Sequence, residues 1–387
     1  MHILLITRHF PPEPSGGARR PALLVEALEK LGHKVTLVTP FKVHRHSIVV
    51  PHPVEHIFHQ TRLESAIDTD APIKQGVGLR GILRQWLLLP DPDIRWAKKV
   101  RASLKQNPIK VDWVITTSPP ESLHVVGAFL KKICGAKWLV DARDTWITAA
   151  HREVLESSRF RRWIEKRIAR RALAEIDALV TVSRAVEEDL LPLCPPKTKS
   201  EIIGHFSNPH TGTVRMDEDR LNLVHTGGFT LSDRRRKLTP VLETLRKVRS
   251  QNPLPIHFHL AGRLDDEEKA ILKENWGFKI TFYGAVSLEQ SRVLQNSADA
   301  LLLLTPESSH ALPGKYAEYC MAGGPILYTG GGDWLNLVDS SVRVFPLNSG
   351  LKTLKKATGE KVAIPEHLSA EYAAKKLIAF LESPSEF

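Results

Sequence analysis

Ala311–Leu327 reads ALPGKYAEYCMAGGPIL, and its punctuation decides how the chain folds. Pro313-Gly314 opens a helix, Tyr316, Ala317, Cys320 and Met321 give it a mostly apolar face, and Gly323-Gly324 stops it. Pro325-Ile326-Leu327-Tyr328 then starts a buried strand. Lys315 and Glu318 lie three apart and share one helical face near the N-terminus. The first turn of a helix carries unpaired N–H groups and a partial positive charge, which suits an anion. A carboxylate one turn further in suits a pair of sugar hydroxyls. The plainer reading of the same two residues is a surface ion pair on a helix packed against a sheet.

Outward from this stretch, strand and helix alternate in both directions. His2–Thr7 is an apolar strand and Phe10–Gly17 a Pro- and Gly-rich loop. Leu23, Leu24, Ala27, Leu28 and Leu31 put Arg20–Leu31 on a helix, and Gly32 ends it before the strand Val35–Thr39. Such a β-loop-α-β unit favours a parallel sheet. Strands at Trp113–Thr117, Trp138–Asp141, Ala178–Val182 and Ser200–Ile203 follow, with helices at Ser122–Ile133 and Phe160–Ala174 and another from Ser183. His210–Glu218 is polar and turn-rich and reads as a linker. The second half repeats the alternation. Its strands are Leu221–His225, Ile256–Ala261, Ile280–Tyr283, Ala300–Leu304, Pro325–Tyr328 and Val342–Val344. Its helices are Leu238–Val248, near Asp265–Asn275, Leu288–Ser297 and finally Ala370–Leu381. No regular pattern holds through Lys42–Asp93. Within it, Val77–Pro90 (VGLRGILRQWLLLP) suits either a membrane surface, with Arg80 and Arg84 near lipid phosphates, or a core-facing helix.

The motifs in this order resemble the retaining GT-B glycosyltransferases that use nucleotide sugars (glycosyl transferases group 1, family 4-like). Pro313, Lys315, Glu318, Tyr319, Ala322, Gly323 and Pro325 match that family's donor-binding segment. Pro12, Gly16, Gly17, Gly32, His33, Val35 and Val38 match its opening strand, Gly-Gly loop and second strand. Ser118, Pro119, Pro120, His124, Asp141, Arg143, Asp144 and Trp146 match its middle. The resemblance implies an α/β fold of two Rossmann-like, doubly wound parallel-sheet domains facing across a cleft. It implies an acceptor domain over 1–210, a nucleotide-sugar donor domain over 211–365, and a closing helix, 366–387, that returns to the first domain. It makes Glu318 the ribose-binding carboxylate and lays the Gly16-Gly17 backbone against the donor's phosphates or the transferred sugar.

The other donor candidates are Gly227, Gly228, Arg236, Lys237, Val286, Gly314 and Lys315, with His310 where many members carry a second Glu. Phe229 stands where relatives carry a phosphate-binding Arg. Asp144 and His124 are the catalytic candidates. Asp144 follows a strand end, where open α/β sheets place ligands. The plainer readings are a salt-bridge knot of Asp141, Arg143 and Asp144, and a packed His124.

Composition narrows the classes. The chain has 387 residues, 42% hydrophobic and 25% charged, which suits two soluble domains. Its three cysteines, Cys134, Cys194 and Cys320, lie far apart and argue against a disulfide frame and against a zinc site. MHILLITRHFPPEP lacks the basic start and length of a signal peptide, so a cytoplasmic location is expected. A net charge of +11 favours anionic partners: phosphorylated substrates, an acidic membrane at whose inner face the protein would sit, or a polyanion. Much of the surplus falls in Arg159–Arg171 and Arg234–Lys237. No Gly-x-Gly-x-x-Gly, P-loop, HExxH or GxSxG spacing occurs.

The expectation is therefore a glycosyltransferase moving a sugar from a nucleotide-diphosphate donor to a glycan, lipid-linked or other cell-surface acceptor. The family implies retention, no metal and no cofactor beyond the substrate; nucleic acid is not expected as a partner. The rivals are a nucleotide-sugar 2-epimerase of the same fold and a non-catalytic GT-B-like protein that binds nucleotide or polyanion.

Overall fold

The computed structural model describes residues 1–13, 16–42, 46–52, 89–148, 158–231, 235–249, 255–305, 312–349 and 364–384. His310, Arg234 and most of the Val77–Pro90 stretch lie outside them. The chain divides into two compact units, Met1–Ile203 with Ala374–Phe387, and Gly204–Ala373.

In the first unit the strands are β1 (His2–Ile6), β2 (Lys34–Thr39), β3 (Ser47–Val49), β4 (Trp113–Ser118), β5 (Lys137–Ala142), β6 (Ala178–Thr181) and β7 (Lys199–Ile202). They form one parallel sheet in the order β3-β2-β1-β4-β5-β6-β7. The central strands are buried on both faces, which is why they read as unbroken apolar runs rather than alternating ones. Helices α1 (Gly16–Lys30), α2 (Ile94–Gln106), α3 (Ser122–Cys134), α4 (Arg159–Ala172) and α5 (Arg184–Leu190) connect them. Lys199 on edge strand β7 donates to the carbonyls of Phe380 and Ser383, and Lys376 donates to that of Ile202. The final helix, α10 (Ala370–Glu382), is tied to that edge by these bonds.

The second unit holds β8 (Leu221–Thr226), β9 (Ile256–Ala261), β10 (Lys279–Phe282), β11 (Ala300–Leu304), β12 (Ile326–Thr329) and β13 (Val344–Pro346), in the order β10-β9-β8-β11-β12-β13, again all parallel. Helices α6 (Leu238–Arg249), α7 (Asp266–Ile271), α8 (Leu288–Ser297) and α9 (Gly314–Cys320) join them. Residues from Gly204 on belong to this unit: Ser207 bridges to Ser369, and His210 is buried against Gln295. Both sheets change direction beside their first strand, between β1 and β4 and between β8 and β11. Open α/β sheets bind ligands at the C-terminal ends of strands flanking such a point.

Three elements depart from the sequence reading. Helix α1 begins at Gly16 rather than near Arg20, so the Gly-Gly pair is its first turn. Strand β3 and helix α2 were not expected. The apolar stripe of α2, Ala97, Val100 and Leu104, is thin among its lysines and arginines, and the helix is anchored by Trp96, whose Nε1 donates to Val50 O at 2.7 Å. Helix α3 runs close enough to β5 that a Cβ on Gly127 would lie 2.0 Å from the Trp138 ring. Alanine is the better helix former by about 1 kcal/mol. Gly127→Ala is nonetheless expected to destabilise the protein by about 2–3 kcal/mol through overpacking, read as a lower urea midpoint at unchanged slope.

Candidate functional site

In the first unit, the strand ends beside the switch point are organised by Arg143. Its guanidinium donates to Ser118 O and Gly17 O at 2.6 Å each and to Pro119 O at 3.3 Å. The Gly17 bond has a local cause. In a helix that carbonyl would accept from residue 21, but Pro21 has no N–H, and Arg143 supplies the donor. The first turn of α1 is thereby held beside the Ser118-Pro119-Pro120 loop, with Gly16 exposed and Gly17 partly so. Buried Asp141 accepts from Arg20 at 2.9 Å and Thr117 at 3.0 Å. Its carboxyl sits below the usual range; burial opposes ionisation, and the Arg20 charge overcomes it. The knot in this unit is therefore Arg20–Asp141–Thr117, with Arg143 serving carbonyls. Asp144 stands outside it, exposed to solvent just past β5.

His124 lies in the interior. Trp138 Nε1 donates to Thr116 Oγ1 at 2.9 Å, and that hydroxyl is 2.9 Å from His124 Nδ1. With the hydroxyl donating its hydrogen bond to Nδ1, the ring carries its hydrogen on Nε2, which is buried with no hydrogen-bond partner among the described residues. Burial pushes the imidazole pKa down to about 3, so the ring is neutral at neutral pH.

A polar cluster in the second unit gathers at the C-terminal end of β8. Lys315 Nζ lies 3.1 Å from Glu318 Oε1 and 3.0 Å from its Oε2, and it donates to Thr226 Oγ1 at 3.1 Å. The amide nitrogen of Gln295 is 2.7 Å from Glu318 Oε1 and 2.6 Å from Thr226 Oγ1. The Gln295 carbonyl is 2.7 Å from His210 Nε2. Tyr319 OH accepts from the Thr226 N–H at 3.1 Å. Glu318 is 6% exposed, so this charge is held by designed partners rather than by water.

Gly227 follows Thr226 with φ +146°, a backbone that side chains resist, and a Cβ there would lie 3.4 Å from His225 Nε2. Its N–H donates to Ala261 O at 2.7 Å. Gly262 comes so close that its own Cβ would lie 2.0 Å from Gly227 O. His225 donates from Nδ1 to Leu302 O at 2.8 Å, leaving Nε2 buried with no hydrogen-bond partner among the described residues. Burial drives its pKa to about 3; the bond to Leu302 opposes the shift, and the charges of Lys315 and Arg236 add to it. That coupling also places Arg236 in the same electrostatic neighbourhood.

The loop bearing Arg236 is clamped from behind. Glu268 accepts from Thr230 N at 2.9 Å with one oxygen and from Asp265 N at 3.1 Å with the other, closing the capping box of α7. Phe229 is fully buried beside the His225 ring, so this position is core, and cations must come from elsewhere in the loop or from α9. Gly228 adjoins the cluster in sequence, Gly314 opens α9 exposed beside the His205 ring, and Lys237 is exposed. Val286 is half-buried against the apolar cluster beneath α9. Gln295, Thr226, His225, His210 and Glu268 escaped sequence reasoning. Only Thr226, directly before Gly-Gly, carried a signal in the chain.

Residues 15–204 match the glycosyl transferase 4-like domain family. No curated protein matches it by sequence. Among solved structures, the chain is similar to WaaG, a glycosyltransferase involved in lipopolysaccharide biosynthesis, at 15% identity and TM-score 0.57, covering 99% of this chain and 100% of that one. It is similar to Anabaena HepE in complex with UDP-glucose at 13% identity and TM-score 0.56, covering 99% and 100%. It is also similar to a UDP-GlcNAc 2-epimerase from Methanocaldococcus jannaschii at 12% identity and TM-score 0.53, covering 98% and 99%. At such identities these likenesses establish the GT-B fold. Among the described residues no helix is long and apolar enough to cross a membrane.

Proposed function

We propose that the protein transfers a sugar from a nucleoside-diphosphate donor, bound by its second unit, to an acceptor hydroxyl. The observation that carries this is the Lys315–Glu318–Thr226–Gln295 cluster at the β8/β11 switch point. When the glycosidic C–O bond breaks, its electron pair leaves with the diphosphate, and that charge needs cations fixed in advance. Lys315 and Arg236 supply them, and the Gly227-Gly228 backbone leaves room for close approach. Donor binding draws Lys315 toward phosphate and frees a Glu318 oxygen for the ribose hydroxyls. Gln295 keeps the carboxylate in place while Lys315 moves.

The resemblance to retaining GT-B enzymes supports retention of configuration, independence from metal, a cytoplasmic location and a glycan or lipid-linked acceptor met by Asp144 and the Gly16-Gly17 turn. The test is a thermal-shift panel of UDP, GDP, ADP, CDP and dTDP, with and without EDTA. One diphosphate is expected to raise the melting temperature, equally in both conditions. A shift that requires Mg²⁺ would remove the metal-free reading, and no shift with any nucleotide would favour a binding protein that has lost the donor. The same fold carries an epimerase, so product analysis decides between the enzymes. Nucleotide release that proceeds without acceptor and leaves an inverted C2 would favour epimerisation.

A further inference from the structure

Helix α4 presents a face that the glycosyl-transfer site does not use. Arg159, Arg162, Lys166, Arg167, Arg170 and Arg171 are exposed along it at helical spacing. Two large aromatics share the face, Phe160 at 63% exposure and Trp163 at 56%. Their rings stack with centroids 6.1 Å apart, and the Arg167 guanidinium lies 5.8 Å from the Trp163 ring. Trp163, Lys166, Arg167, Arg170 and Arg171 line a shallow hollow. The only acid of the helix, Glu165, points inward, where it accepts from Arg161 at 2.7 Å and from Trp146 Nε1 at 2.9 Å. The inward face thus consumes the one carboxylate and leaves six cations outside with none on their own helix. A merely solvated face would mix signs and would not expose stacked Phe and Trp, which cost free energy in water.

We propose that this face of α4 docks the protein onto an anionic phospholipid bilayer. Phe160 and Trp163 enter at headgroup level, where amphipathic aromatic rings are most stable, and the arginines and Lys166 meet lipid phosphates. The chemistry favours a bilayer over nucleic acid. The cations lie on one exposed helix face rather than along a groove, and the two aromatic rings stack on each other instead of standing apart to receive bases.

The experiment is co-sedimentation of the full chain with vesicles of phosphatidylcholine alone or containing about 30% phosphatidylglycerol, at roughly physiological salt. Binding is expected only to the anionic vesicles and should weaken as salt rises. Lys166→Glu/Arg170→Glu should lower the partition coefficient at least about a hundredfold, given the charge reversed near the surface. Phe160→Ala/Trp163→Ala should lower it about tenfold while leaving the salt dependence in place. Arg167→Gln/Arg171→Gln keeps length and polarity and serves as the conservative pair if either variant fails to fold. Equal sedimentation with neutral vesicles, or wild-type binding by these variants, overturns the proposal. So does an oligonucleotide bound as tightly as the anionic vesicles with no loss on aromatic substitution.

Discussion

Lys315→Ala should weaken nucleoside-diphosphate binding roughly a hundredfold, and Glu318→Ala should erase the nucleotide-induced rise in melting temperature. The lysine effect follows from losing charge-assisted hydrogen bonds, each contributing about 1.5–3 kcal/mol when donor and acceptor are desolvated. The glutamate effect has two parts. Glu318 is buried, and it anchors both Lys315 and Gln295. Removing it takes the carboxylate from an ammonium and an amide that still share Thr226 Oγ1, and is expected to cost the unliganded protein about 2 kcal/mol, less than a fully buried pair because Lys315 is partly exposed.

The two roles separate by ligand. Lys315→Ala should weaken inorganic pyrophosphate as well as nucleotide, whereas Glu318→Ala, which loses the ribonucleotide response, should keep the stabilisation by pyrophosphate. The readout is the ligand-induced stabilisation, about 2.7 kcal/mol for wild type at a ligand concentration a hundredfold above Kd. Unchanged pyrophosphate binding by the lysine variant would move the diphosphate away from this cluster. A double-mutant cycle on the pair should show coupling, since the two side chains share their charges.

Acid should unfold the protein early, well before its carboxylates titrate. Burial lowers His124 and His225 to about 3 and His259 to about 4. His259 is held between Tyr283 OH at 2.9 Å and Asn222 Oδ1 at 3.1 Å, with the His257 ring 3.7 Å away. In the unfolded chain each titrates near 6.5. Between the two values the unfolded state binds more protons, so stability falls as pH falls. The contribution is complete above about 6.5 and is lost progressively toward 4 and 3. Each fully shifted histidine adds at most about 1.4 kcal/mol per pH unit in that window, so three together give a slope of about 4. Asp141, held low by Arg20, adds its loss only at still lower pH. Thermal melts from pH 8 to 4 should be flat at the alkaline end and steepen below 6.5. His259→Asn should remove about one proton from the slope, and a flat profile between pH 7 and 5 would show that these rings are not buried neutral.

Much of the α/β architecture was legible in the chain because parallel strands are buried on both faces. Ile3–Ile6, Trp113–Thr117 and Leu301–Leu304 are unbroken apolar or β-branched runs, and glycines such as Gly32 and Gly135 mark where helices stop. Lys315 and Glu318 were legible as a pair because they belong to one helix and helical spacing alone brings them together. Strand β3 and helix α2 were not, since their apolar residues are few and are buried by neighbours remote in sequence, as Trp96 is by Val50.

The setting of the site came only from tertiary structure. Gln295 reaches Glu318 directly, Thr226 joins it through Lys315 and Gln295, and His210 holds Gln295 from behind, across sequence separations of up to 89 residues that no local pattern encodes. The chain by itself determined which segments become strands and helices and where the charged pair falls on its helix. Folding decided that the carboxylate is desolvated and fully partnered, that Phe229 is core, and that His124 and His225 are neutral. Those properties depend on solvent exclusion and on distances across a sheet, and neither is a property of sequence order.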